Sequence, residues 1–142
     1  MRIVEDALEE LKAEYGGAVN FKRICEDRGI LVSMVRLEEG MNGFAVVCNN
    51  LKLIVLSDAL PHAHRRDFAF HELWHILKSA RHRCHGYCGD RREEARANLF
   101  AALCRISTVR EGDTVDSLVE RHGVSHLIAK TRLEYENKKV GK

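Results

Sequence analysis

The sequence predicts an α+β fold, in which a small three-stranded antiparallel sheet packs on one long helix, with further helices at both ends of the chain. Three observations support this prediction. Short β-rich runs occur only between residues 30 and 56, helical spacing of apolar residues covers both flanks, and one helical segment is apolar nearly all round. The length of 142 residues suits one domain, which we place at 1-142.

Two helices are predicted before the sheet. Apolar residues recur at helical spacing over residues 2–15, and the pair Gly16-Gly17 ends this run. Asn20 is suited to cap a second, shorter helix, and Gly29 is suited to its C-terminal end.

Three strands are predicted at residues 30–37, 43–48 and 51–56. Only Asn49 and Asn50 separate the last two strands, and asparagine tolerates the positive φ angles of a tight two-residue turn. We therefore predict an antiparallel hairpin at this turn.

Everything after residue 60 is predicted to be helical or loop. A helix runs from near Pro61, which suits a first turn, to about residue 80. After a loop rich in Arg, His, Cys and Gly, helical spacing resumes over residues 93–105. Two further helices follow, with Gly123 ending the first of them.

The helix after the sheet carries the pattern His-Glu-x-x-His. His71 and His75 stand on the same helical face, so both can bind one metal ion at about 2.0–2.1 Å. Glu72 projects beside them and is placed to take a proton from a water molecule. Burying these three polar side chains in an apolar helix is costly unless they share a partner, and a divalent cation supplies one. The pattern predicts a Zn²⁺ site with Glu72 as the catalytic base.

A catalytic zinc ion normally has three protein ligands, so a third ligand is needed. The metzincin pattern fails because Lys78 and Arg81 stand where it requires Gly and His. The strongest candidate is Glu94 at the start of the next long helix, and its neighbour Glu93 is most easily confused with it. The helix dipole alone also favours a carboxylate in a first turn, so these residues leave the assignment open.

Other polar residues have candidate roles. Tyr87, His82 and His85 could each donate a hydrogen bond to a tetrahedral oxyanion, and spacing does not choose among them. Asn98 could orient a metal ligand, or it could only join two packed helices. The segment 82–88 also contains two His and two Cys residues that could bind a second metal, although Cys-x-x-x-Cys without a second pair is a weak zinc pattern.

Composition argues against several classes of protein. The net charge of +2 is too small to indicate a nucleic-acid partner, and no apolar stretch approaches the roughly 20 residues of a membrane span. The N-terminus does not resemble a signal peptide, and the five cysteines, an odd number, are interpreted as reduced thiols. We therefore predict a cytoplasmic protein that neither enters a membrane nor binds nucleic acid directly.

The alternative to an enzyme is a regulatory protein that binds a repressor or DNA. Residues 115–133 have the spacing of a helix-turn-helix. However, Glu134 and Glu136 lie among the basic residues of its second helix, which makes that helix a poor face for phosphates.

Taken together, the motifs resemble the ImmA/IrrE (DUF955) metallopeptidases. The resemblance covers about residues 43–135. Two features differ from the family pattern: Trp74 replaces a usual Gly, and no proline follows Leu103. The matching residues are Arg65, Arg66, Phe68, His71, Glu72, Leu73 and His75, then Glu94, Ala97, Asn98, Phe100 and Ala101, and finally Leu118 to Ser125 with Arg132 and Leu133.

The resemblance implies a zincin-like metallopeptidase domain. Its zinc ligands would be His71, His75 and Glu94, and its catalytic base would be Glu72. It also implies a protein substrate, a helix-turn-helix transcriptional repressor of a mobile element or stress response. We expect such a substrate to present an extended segment, which could add as a strand to an edge of the sheet.

Overall fold

The computed structural model describes residues 2–78 and 91–140. The predicted α+β composition and the order of the elements are confirmed in these residues, while the predicted loop at 81–90 lies outside them. The elements are α1 (Arg2–Glu14), α2 (Phe21–Arg28), β1 (Ile30–Val35), β2 (Gly43–Cys48), β3 (Leu51–Ser57), α3 (His62–Lys78), α4 (Arg91–Arg105), α5 (Val115–His122) and α6 (His126–Val140).

The three strands form a mixed sheet, so the prediction of a fully antiparallel sheet is wrong. β2 and β3 form the predicted antiparallel hairpin, but β1 runs parallel to β3, with Ile30 opposite Lys52. The strand order is β1-β3-β2. β3 is the most buried of the three strands, without interruption from Ile54 to Ser57, which fits its central position. The connection at 36–42 is long enough to pass the end of β3, since the outer strands are about 10 Å apart.

Short-range turn and cap predictions are confirmed. Asn49 has a φ of 56°, as the two-residue turn requires. Oδ1 of Asn20 accepts the backbone N–H of Arg23 at 3.1 Å, and Gly29 ends α2 with a φ of 67°. These features depend only on neighbouring residues, which is why the sequence predicts them.

One hydrophobic core receives side chains from all nine described elements. α3 lies between the sheet and α4, in contact with β2, β3 and α4. Trp74 and Phe100 are fully buried at the α3–α4 contact, where their ring centroids are 5.3 Å apart. Because α3 packs against two layers, every residue from Ala69 to Ile76 except His75 is buried.

The cysteines only partly follow the prediction of reduced thiols. Cys25 and Cys104 are free thiols, as predicted, but Cys48 is disulfide-bonded. Cys48 is half-buried at the end of edge strand β2, whereas Cys25 is buried. Because disulfides are rare in the cytosol, this bond removes one argument for a cytoplasmic location, which stays a prediction. Within the described ranges, no helix has both the length and the apolar character needed to cross a membrane.

Candidate metal site

The two histidines of the motif lie one turn apart on α3 and face α4. Their ring centroids are 5.0 Å apart and their Nε2 atoms are 3.3 Å apart. Both side chains are largely buried, with 10% of His71 and 12% of His75 exposed. The helical spacing therefore brings two ring nitrogens to one point, as the sequence predicts.

Glu94, in the first turn of α4, completes the cluster. One carboxylate oxygen, Oε2, is 2.9 Å from Nε2 of His71, and the other, Oε1, is 2.8 Å from Nε2 of His75. Glu93 points elsewhere and pairs with Arg96 at 3.5 Å. One ligand atom from each of His71, His75 and Glu94 lies within 4.8 Å of the others, so the three residues can hold a metal ion.

Asn98 contacts this cluster from one turn further along α4. Its Oδ1 lies 2.8 Å from Nδ1 of His71. Because an amide oxygen only accepts hydrogen bonds, this contact favours the tautomer with the proton on Nδ1 of His71 and the lone pair on Nε2. Asn98 thus joins the two helices and also favours the ring tautomer that leaves Nε2 free to bind a metal.

The donor set fits a zinc ion. Two nitrogens that bind one tetrahedral zinc at about 2.0–2.1 Å lie about 3.3 Å apart. His71 and His75 have this separation. Oε1 of Glu94 is buried and accepts no hydrogen bond among the described residues, although Nε2 of His75 is close to it. A buried carboxylate oxygen without a hydrogen bond is costly, and a cation at this point would satisfy it.

Glu72 lies beside the cluster and is only 5% exposed. Burial, and secondarily the negative charge of Glu94, raise the pKa of Glu72 to about 7. A carboxyl group with a pKa near neutrality can both accept and release a proton at physiological pH.

The pKa of His75 is shifted in the opposite direction from that of Glu72. Burial and the neighbouring His71 lower the pKa of His75, and the attraction of Glu94 only partly opposes them. The neutral imidazole is thereby favoured at neutral pH, and this is the form that binds metals.

An open cavity of about 750 Å³ adjoins the cluster and is lined by His71, Glu72, Glu94 and Asn98. Its other walls come from residues 38–42 of the connection between β1 and β2, from Gly43 and Phe44 at the start of β2, and from Phe68 and Leu127. The sequence reasoning missed residues 38–44 and Leu127 as site residues. Leu127 lies in the first turn of α6 and is 52% exposed. Its large apolar side chain at the start of a helix is the only signal that the sequence gives for it.

Asp67, one turn before His71, was also missed. It is 2% exposed, and both of its oxygens accept hydrogen bonds. Nε of Arg105 donates to Oδ1 at 2.8 Å, and the backbone N–H of Ser125 donates to Oδ2 at 2.7 Å. Asp67 therefore ties α3 to the end of α4 and to the turn before α6. No local sequence pattern indicates these contacts.

The remaining predicted residues lie outside the described ranges. These are the three candidates for oxyanion stabilisation and the possible second metal cluster: Tyr87, His82 and His85, with Cys84 and Cys88.

The fold and the site together define an α+β protein with a candidate metal site between its third and fourth helices. No model of a known protein family matches the sequence, and no curated protein matches it significantly. The likeness to the ImmA/IrrE metallopeptidases is therefore a likeness of motifs.

Proposed function

We propose that this protein is a zinc-dependent endopeptidase of zincin-like architecture, with His71, His75 and Glu94 as metal ligands and Glu72 as catalytic base. The observation that carries the proposal is the position of the cluster at the wall of an open cavity that Glu72 also lines. Structural zinc sites are closed by four protein ligands, whereas catalytic sites combine three ligands with an accessible position.

The chain's own residues divide the chemistry between them. When held by His71, His75 and Glu94, zinc would supply the Lewis acidity that polarises a peptide carbonyl and makes water a stronger nucleophile. Glu72 takes the proton from the attacking water and passes it to the leaving amine. Asn98 holds the His71 ring in the orientation and tautomer that present Nε2.

The edge of β2 offers a way to position the substrate. The carbonyl of Asn42 accepts the N–H of Ser57 at 2.9 Å, so residues 42, 44 and 46 bond to β3 by the alternation of an antiparallel pair. The backbone groups of Gly43, Ala45 and Val47 therefore face the free edge. An extended peptide added to this edge would pass along the cavity, because Gly43 and Phe44 line it.

The substrate we propose is a helix-turn-helix transcriptional repressor, as the motif resemblance implies. Direct DNA binding by residues 115–133 is less well supported. Arg132 of α6 is 4% exposed, and its Nε donates to the carbonyl of Ile106 at 2.8 Å. This basic side chain is held inside the fold, away from any phosphate.

Glu72→Gln tests the proposal because it keeps the volume of the side chain but cannot accept the proton. The zinc-loaded protein should cut the repressor encoded beside its gene at one or a few bonds and should leave casein almost intact. Glu72→Gln should retain zinc and repressor binding but lose cleavage. If Glu72→Gln relieves repression in cells as well as the unaltered protein does, the chain acts by binding alone, which is the regulatory alternative.

A further inference from the structure

In the part of the chain that the structure describes, β1 is an edge strand, and it is unusually apolar. Four of its large hydrophobic side chains are strongly exposed, namely Leu31 (60%), Met34 (44%), Val32 (43%) and Val35 (39%). Exposed edge strands normally carry a charge, a proline or a bulge that prevents pairing with another strand. The sequence of β1, Ile-Leu-Val-Ser-Met-Val, contains no charge and no proline, and its register with β3 is unbroken. This edge is therefore suited to pair with a further strand.

The backbone of β1 is also prepared for pairing. Val35 stands opposite Ser57, and its carbonyl accepts the N–H of Asp58 at 2.9 Å. In a parallel pair, alternate residues bond to the neighbouring strand, so Leu31, Ser33 and Val35 are bonded to β3. The N–H and C=O groups of Val32 and Met34 point to the free edge.

We propose that β1 pairs with β1 of a second copy of this chain, antiparallel, about a two-fold axis at Ser33. This pairing would join two three-stranded sheets into one of six strands. Val32 stands opposite the partner's Met34, and Met34 stands opposite the partner's Val32. Each of these pairs exchanges two backbone hydrogen bonds, about four in all. Leu31 meets the partner's Val35, so every exposed apolar side chain of the strand gains an apolar neighbour.

The exposed apolar side chains select this register. Antiparallel pairing about a two-fold axis matches outward-facing residues with each other wherever the axis passes through a residue of the strand. An axis at Val32 places Leu31 opposite the partner's Ser33, and an axis at Met34 places Val35 opposite the partner's Ser33. Only an axis at Ser33 gives all four exposed apolar side chains of the strand an apolar neighbour.

Pairing of β1 with β1 forms a closed pair of two copies rather than an open chain of many copies. A two-fold pair uses both β1 edges and closes, so it leaves neither β1 edge unpaired. Pairing of β1 with the other edge strand, β2, would continue from copy to copy without closing. The inference does not depend on the metal site or on the proposed activity.

Light scattering on the full chain at increasing concentration tests the pairing. The unaltered protein should reach a mass of two chains of 16.2 kDa each. Val32→Lys and Met34→Lys should each remain at the mass of one chain, because a lysine on a strand edge opposes pairing. Ile3→Lys is the matched control, since Ile3 is 46% exposed on α1, and its mass should stay at two chains.

Hydrogen exchange on the unaltered protein gives a second readout that does not depend on a variant folding. At high concentration the amides of Val32 and Met34 should exchange at least about tenfold more slowly than at low concentration. The amides of Leu31, Ser33 and Val35, which bond to β3, should be protected at both. Any of three results overturns the proposal: a one-chain mass throughout, a continuous ladder of larger species, or a two-chain mass for Val32→Lys.

Discussion

Helix α3 buries two groups of polar side chains one turn apart. Asp67 has both oxygens bonded, one to Arg105 and one to the backbone of Ser125, and it lies away from the large cavity. The next turn presents His71 and, with it, Glu94, whose Oε1 is buried without a hydrogen bond in the described part of the chain. A group with every polar atom satisfied is suited to hold a structure together, and a group with an unsatisfied atom beside a cavity is suited to bind something.

The largest expected effect is a loss in the free energy of unfolding when Asp67 is changed. Asp67→Asn keeps the shape of the side chain but leaves Arg105, only 9% exposed, without its counter-charge. Breaking a buried ion pair on one side costs about 3–5 kcal/mol. Urea unfolding of the metal-free protein should show this loss.

Asp58→Asn is the matched control for Asp67→Asn, because Asp58 is an exposed aspartate shortly before α3. Its free energy of unfolding should stay within about 0.5 kcal/mol of the unaltered protein. If the two variants are equally stable, Asp67 does not anchor the helices, and the contrast with the metal cluster is lost.

A second prediction concerns metal retention and separates Glu94 from Glu93. Glu94→Ala removes a proposed ligand, so its zinc affinity should fall by more than the 10- to 100-fold typical of residues that only support a ligand. Glu93→Ala loses a helix-dipole interaction worth about 0.3–1 kcal/mol and should keep its zinc. Competition with a chelator measures both. Loss of zinc from Glu93→Ala instead would place the ligand one residue earlier on α4.

The two groups also differ in how far the sequence alone predicts them. His71 and His75 are four residues apart, so helix geometry alone places them together. Asp67 pairs with Arg105, 38 residues away, and no local pattern indicates that contact. The sequence likewise does not decide whether Glu93 or Glu94 is the third ligand, because that depends on how α4 is rotated against α3.

The sheet shows the same division. The hairpin at Asn49 is local and was predicted correctly, but the direction of β1 was not. Whether β1 lies beside β2 or beyond β3 depends on burial of β3 in the centre, which is a property of the whole fold. Residues 38–42 form a wall of the cavity for this reason, since the connection between β1 and β2 must pass the end of β3.

The smallest predicted effect concerns Asn98. It resembles Asp67 because it joins α4 to α3, and it also contacts His71, a proposed metal ligand. If Asn98 orients His71, Asn98→Ala should weaken zinc binding about 10- to 100-fold, or about 1.4–2.7 kcal/mol. Asn98→Asp retains an oxygen acceptor and should restore most of this affinity. Unfolding of the metal-free protein provides the second measurement, where Asn98→Ala should cost only about 0.5–1.5 kcal/mol for one lost hydrogen bond. A larger loss of stability with unchanged zinc affinity would assign Asn98 to helix packing alone, alongside Asp67.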